Sequence, residues 1–181
     1  MKYVLKNART GEDIPEFYTT VDVKKTKTHL VFDFFCKNSK FFSKDDKYNA
    51  PIYDGDVCEA FICTSGNISD YYEIEVAPNN CQFLAKVHNK GDIDGELNLD
   101  LTFVSEEENF LQSEVEIIGN DYKLKISVPL DKIGYDEKTG IKYNAYRIET
   151  EGGIVNKNLL ALNPTMKPAF HVPEKFIDLV E

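Results

Sequence analysis

The chain is cut into short alternating runs by frequent turn signals, and almost nowhere does it sustain a helical period. β-Branched and aromatic residues alternate with polar ones at His29–Cys36, Val57–Thr64, Tyr71–Ala77, Cys81–Val87, Leu97–Val104, Ser113–Ile118, Tyr122–Val128 and Tyr143–Thr150. Shorter strands are expected at Tyr18–Val23 and Leu159–Leu162. Between them lie Thr64-Ser-Gly-Asn, Pro78-Asn-Asn, Gly91-Asp-Ile-Asp-Gly95, Gly119-Asn-Asp and Gly152-Gly153, all turn formers. Only Pro129–Gly134 and Pro173–Phe176 offer single helical turns. This pattern predicts an all-β fold, a two-sheet antiparallel β-sandwich of jelly-roll type with little helix. With 181 residues, no internal repeat and no linker-like stretch, one domain spanning 1–181 is expected.

Charge narrows the partners. The formal net charge is −10, and no Lys/Arg run with interleaved aromatics is present, so nucleic acid is not an expected partner. No segment has the apolar length of a bilayer span; Leu30–Cys36 is short and broken by Asp33. The first ten residues carry no apolar h-region, which predicts a cytoplasmic protein or a trimmed extracellular module. Cysteines 36, 58, 63 and 81 match no zinc or redox spacing and read as small buried hydrophobes.

One strand carries an unusual residue. In Val57–Cys63 the even positions Cys58, Ala60 and Ile62 are small and apolar, as a face on a core should be. The odd positions Val57, Phe61 and Cys63 surround a carboxylate, Glu59. A carboxylate so placed is either paired inside the fold or lines a cavity that needs an acceptor. Tyr53, just upstream in Pro51-Ile-Tyr-Asp-Gly-Asp56, can supply a flat wall to that cavity. An aromatic wall beside a hydrogen-bonding carboxylate suits a sugar ring, with its apolar C–H faces and its hydroxyls.

Four segments, in order, resemble the family 9 carbohydrate-binding modules. They are Tyr53-Asp-Gly-Asp-Val-Cys-Glu-Ala-Phe-Ile62; Tyr71-Tyr-Glu-Ile-Glu-Val-Ala-Pro78; Tyr122-Lys-Leu-Lys-Ile-Ser-Val-Pro-Leu130 with Tyr143-Asn-Ala-Tyr-Arg-Ile148; and Leu160-Ala-Leu-Asn-Pro-Thr165 with Phe170-His-Val-Pro-Glu-Lys-Phe176. The resemblance implies a β-sandwich that binds an oligosaccharide or polysaccharide without catalysis. Some of its members clamp terminal sugars between two tryptophans, and some hold structural Ca2+. By position, Tyr53 takes one clamp place, Leu162 the other, and Glu59 the hydrogen-bonding carboxylate. The chain departs from the pattern in having no Trp, so Leu162 offers no ring face and Tyr122 stands where the fold usually has a Trp. The alternative is a degenerate relative serving as a protein-interaction or structural domain.

The remaining candidates have competing readings. Asn144 and Arg147 could bind sugar hydroxyls; Arg147 could instead neutralise Glu59 or Glu73. Glu59 itself could be structural, accepting from backbone amides. Glu73 and Glu75 share one strand face and are expected to point to solvent, although paired carboxylates also raise glycoside hydrolysis, which needs a separation of roughly 5–9.5 Å. Asp92-Ile-Asp-Gly-Glu96, Asp45-Asp46 and Asp54/Asp56 suggest either Ca2+ or solvated turns, with turns favoured. His171 reads as a packing and hydrogen-bonding residue.

Overall fold

The computed structural model describes residues 1–37, 40–94, 96–153 and 157–180. The chain opens with β1 (Lys2–Val4), β2 (Lys6–Asn7), β3 (Thr19–Lys25) and β4 (His29–Cys36). Two hairpins follow, β5 (Val57–Cys63) with β6 (Asp70–Val76), and β7 (Gln82–Ile93) with β8 (Glu96–Phe103). Then come β9 (Gln112–Ile118), β10 (Asp121–Pro129), β11 (Lys142–Glu149), β12 (Asn158–Ala161) and β13 (Ile177–Asp178).

Among the described residues the strands form two antiparallel sheets. Sheet A runs β1-β3-β4-β10-β9 and sheet B runs β2-β12-β11-β5-β6-β7-β8, with β13 added beside β11. The expected all-β sandwich is what forms, and most strand bounds fall within two residues of expectation. The largest difference is β7, which runs on to Ile93 through a bulge between Asn89 and Gly91, where Gly91 takes a positive φ. Pro173–Lys175 is the expected single helical turn, a 3-10 turn; Pro129 ends β10 and residues 130–134 form a succession of turns.

Alternation decides what each sheet buries. On β4, Leu30, Phe32, Phe34 and Cys36 point inward while Val31, Asp33 and Phe35 are partly exposed. Tyr122, Leu124, Ile126 and Val128 of β10 join them, and Cys58, Ala60, Ile62, Ile74 and Ala145 of sheet B close the core from the other side. The cysteines are free and buried, and Cys36 Sγ meets Cys58 Sγ across the core at 3.4 Å.

Sheet B is unusual in being covered on its outer face as well. Every residue of β5 is buried. Its odd positions face a second apolar layer containing Ile52, Tyr71, Tyr146, Phe170 and Phe176. Phe61 stacks on Tyr71 with centroids 5.4 Å apart, and Tyr146 stacks on Phe170 at 4.2 Å. The C-terminal segment is tied down over this face by polar bonds. The Tyr146 hydroxyl donates to the Phe170 carbonyl at 3.1 Å, and the Asn144 amide donates to the Asn163 carbonyl at 2.9 Å. Gly55 fixes the entrance to β5: a Cβ there would lie 2.6 Å from the Phe42 carbonyl oxygen, closer than any side chain tolerates.

Candidate functional site

The outer layer does not close over the whole of sheet B. Beside the Phe61–Tyr146 cluster it leaves a cavity of about 660 Å³, within the ~300–1,000 Å³ usual for small-molecule sites. Tyr53, Phe83, Phe103 and Phe170 give it aromatic walls, and Glu59, Glu73 and Glu75 supply carboxyls.

Register explains why three carboxyls meet. The β5–β6 hairpin pairs Glu59 directly with Glu75, and Phe61 with Glu73. All three glutamates therefore sit on the outer face, with one oxygen from each lying within 4.8 Å of the others. None is exposed to solvent: Glu59 is 2%, Glu73 6% and Glu75 1% exposed. Burial, reinforced by the charge of Glu73, raises Glu59 well above the usual carboxylate range. Burial, then the charges of Glu59 and Glu73, does the same to Glu75. Burial pushes Glu73 up to about 7, moderated by a hydrogen bond with Glu75. Oε2 of Glu75 is buried with no hydrogen-bond partner among the described residues.

Glu73 is held by a chain of polar groups. Asn89 donates to the Tyr71 hydroxyl at 3.4 Å, and Tyr71 lies 2.7 Å from His171 Nδ1. His171 Nε2 faces Glu73 Oε1 at 3.4 Å. Burial holds the imidazole down to about 4, so it is neutral at pH 7.

Tyr53 stands at the rim in a 3-10 turn, Ile52–Asp54, and is 41% exposed. Its ring meets Phe83 edge-on at 6.0 Å. Lys157 braces this turn, donating to the Tyr53 carbonyl at 2.8 Å and to Asp54 at 3.1 Å, while Lys44 bonds the other Asp54 oxygen.

Of the five residues expected to bind ligand, two line this cavity, Tyr53 and Glu59. Leu162 does not: on β12 and just beyond, Leu159 and Ala161 face outward, whereas Leu160 and Leu162 pack on the core between the sheets. It is Leu159 that reaches the cavity. Arg147 is fully buried on the inter-sheet side, bound to Glu149 and to Thr19 Oγ1 at 2.8 Å, so it neutralises neither Glu59 nor Glu73. Asn144 is fully buried and spent on the C-terminal segment, its carbonyl oxygen accepting from Asn163 N at 3.0 Å.

Glu73 and Glu75, expected in solvent, are buried on the cavity floor. The available signal was the hairpin itself, since folding it about Asn67, with Ile62 opposite Tyr72, sets Glu59 opposite Glu75. Asp45 accepts from Asp46 N and Lys47 N, and Asp56 accepts from Phe42 N and Thr150 N. The Asp92–Glu96 loop includes Gly95, which lies outside the described residues, as do 154–156 of the loop following Gly153.

No family model matches the chain. Comparison with solved structures gives the class. A proposed carbohydrate-binding protein from Bacteroides uniformis superimposes with a TM-score of 0.73 at 15% identity, covering 97% of this chain and 84% of that one. A family 9 carbohydrate-binding module from Caldicellulosiruptor kristjanssonii, solved in complex with glucose, gives 0.65 at 10% identity, covering 97% and 82%. The fold is that of the family 9 carbohydrate-binding modules. In sequence, the chain is 30% identical over 173 residues to an extracellular protein of Arthroderma benhamiae, covering 90% of this chain and 78% of the relative. It belongs to the family of that fungal extracellular protein.

Proposed function

We propose that the protein binds glycans non-catalytically through the cavity on the outer face of sheet B. The observation that carries this reading is the pairing of an exposed aromatic rim, Tyr53, with buried carboxyls on the floor, Glu59 foremost. Ring C–H faces stack on aromatic walls while hydroxyls reach polar groups below. The glucose complex of the related module and the carbohydrate-binding role proposed for the Bacteroides protein support the ligand class. The extracellular relative supports a setting outside the cell.

The placement of the carboxyls supports binding rather than hydrolysis. A glycosidase flanks the scissile bond with its acid and its base or nucleophile. Here all three glutamates rise from the same face of adjacent strands. A glycan array of neutral and amino oligosaccharides, run with and without Ca2+, tests the reading. Tyr53→Ala is expected to weaken the best ligand about tenfold, the loss of one stacking ring. Because Tyr53 is substantially exposed, the stability of that variant should stay within about 1 kcal/mol of wild type in urea titration. Silence across the whole array would overturn the proposal.

A further inference from the structure

We propose that the sugar taken by this cavity carries a protonated primary amine, seated on Glu59, Glu73 and Glu75. The inference rests on the glycan-binding reading and names the class of sugar. One carboxylate suffices to hold a pair of neutral hydroxyls; three adjacent ones ask for positive charge. An ammonium group has three N–H donors, and acceptors about 2.8 Å from its nitrogen form a triangle with edges of about 4.6 Å. One oxygen from each of the three glutamates lies within 4.8 Å of the others, so all three can reach a single ammonium.

An independent observation is the state of Glu75, whose Oε2 is buried on the cavity floor with no partner among the described residues. That oxygen lacks a donor, and an ammonium brings one. Aromatic walls beside carboxyls also suit an ammonium better than a metal, since rings attract cations through their faces whereas calcium wants six to eight oxygens. The protein's net charge of −10 draws cationic sugars toward it.

The cations already at the cavity do not occupy this place. Lys157 is committed to Asp54 and the Tyr53 carbonyl, and Arg9 is exposed. His171 faces Glu73 as a neutral ring, and Tyr53 lies at the rim. The groups that titrate against an incoming ammonium are therefore the three glutamates. Burial keeps them protonated to higher pH than free carboxyls. Seating an ammonium expels protons, so affinity rises with pH until the amine itself deprotonates.

Calorimetry on the full chain tests this with three matched series: glucosamine, glucose and N-acetylglucosamine, each with its β-1,4-linked tetramer, in calcium and in EDTA. The expected result is at least tenfold tighter binding of the amino series, equal in calcium and EDTA. Heats should change with buffer ionisation enthalpy as protons are released. Glu59→Gln, which keeps the side-chain shape, should lose at least tenfold for the amino series with its circular dichroism spectrum unchanged. Neutral sugars binding as tightly as amino sugars would overturn this inference and leave glycan binding standing. A requirement for calcium would also overturn it. Absence of binding in every series would sink both.

Discussion

Arg147→Ala is expected to destabilise the protein by about 3–5 kcal/mol, because it strips one partner from a fully buried ion pair. Arg147 is the largest fully buried side chain among the described residues, and its guanidinium joins the two sheets. From β11 in sheet B it contacts Glu149, Thr19 Oγ1 of sheet A and the Lys37 carbonyl at 3.1 Å, and it lies 5.5 Å from the Tyr122 ring centroid. Truncation leaves the Glu149 carboxylate buried without its counter-charge and opens a void against Tyr122. Replacing both partners with apolar residues, Arg147→Met with Glu149→Leu, should recover most of the loss, since no unpaired charge remains. Urea titration measures all three proteins; a loss below about 1 kcal/mol for Arg147→Ala would mean that the pair contributes little. Ligand affinity of the folded fraction should not change, because Arg147 faces away from the cavity.

The second large effect concerns pH. Glu73→Gln should match wild type in stability below pH 4.5 and exceed it increasingly as pH rises, by about 3 kcal/mol above pH 7. The sign follows from proton counts. In the unfolded chain Glu73 ionises near its ordinary 4.5, but in the folded protein it holds its proton to about 7. Between those values the native state binds the extra proton, so wild-type stability falls as pH rises through the window. Glutamine mimics the protonated carboxyl and does not titrate. The comparison must be made against the variant, because His171 acts in the opposite sense. Its pKa drops from 6.5 to about 4 on folding, which makes stability rise with pH over that range. In wild type the two largely cancel: folding moves a proton from the imidazole to the carboxyl it faces. Urea midpoints for both proteins from pH 5 to pH 8 read the difference; parallel curves would show that Glu73 ionises normally in the fold.

Period-two alternation and turn chemistry made the sandwich legible, and the two faces of Val57–Cys63 were distinguishable because Cys58, Ala60 and Ile62 are small and apolar. Tyr53 and Glu59 could be placed together because one strand and its entrance loop carry both. What alternation could not reveal was the C-terminal segment lying over sheet B. Without that cover, Glu73 and Glu75 read as solvent-facing; beneath it they are a buried floor. The same cover takes up Asn144, whereas Arg147 turns inward to the ion pair between the sheets. For Leu162 the failure was of register. Adjacent residues on a strand face opposite ways, and the cavity takes Leu159 while Leu162 turns inward.

Sheet B is a partition with separate chemistry on its two sides. The inner side carries Arg147 and packs on Leu30, Phe32 and Tyr122 of sheet A, whereas the outer side displays Glu59, Glu73 and Glu75. Changes to the outer layer need not disturb the inner one, because each strand position belongs to only one of them. Recognition and foldedness can then drift separately over evolutionary time. A lineage can exchange one ligand for another, or abandon ligands altogether, while its scaffold persists, in keeping with a shared architecture among chains only 10% and 15% identical to this one.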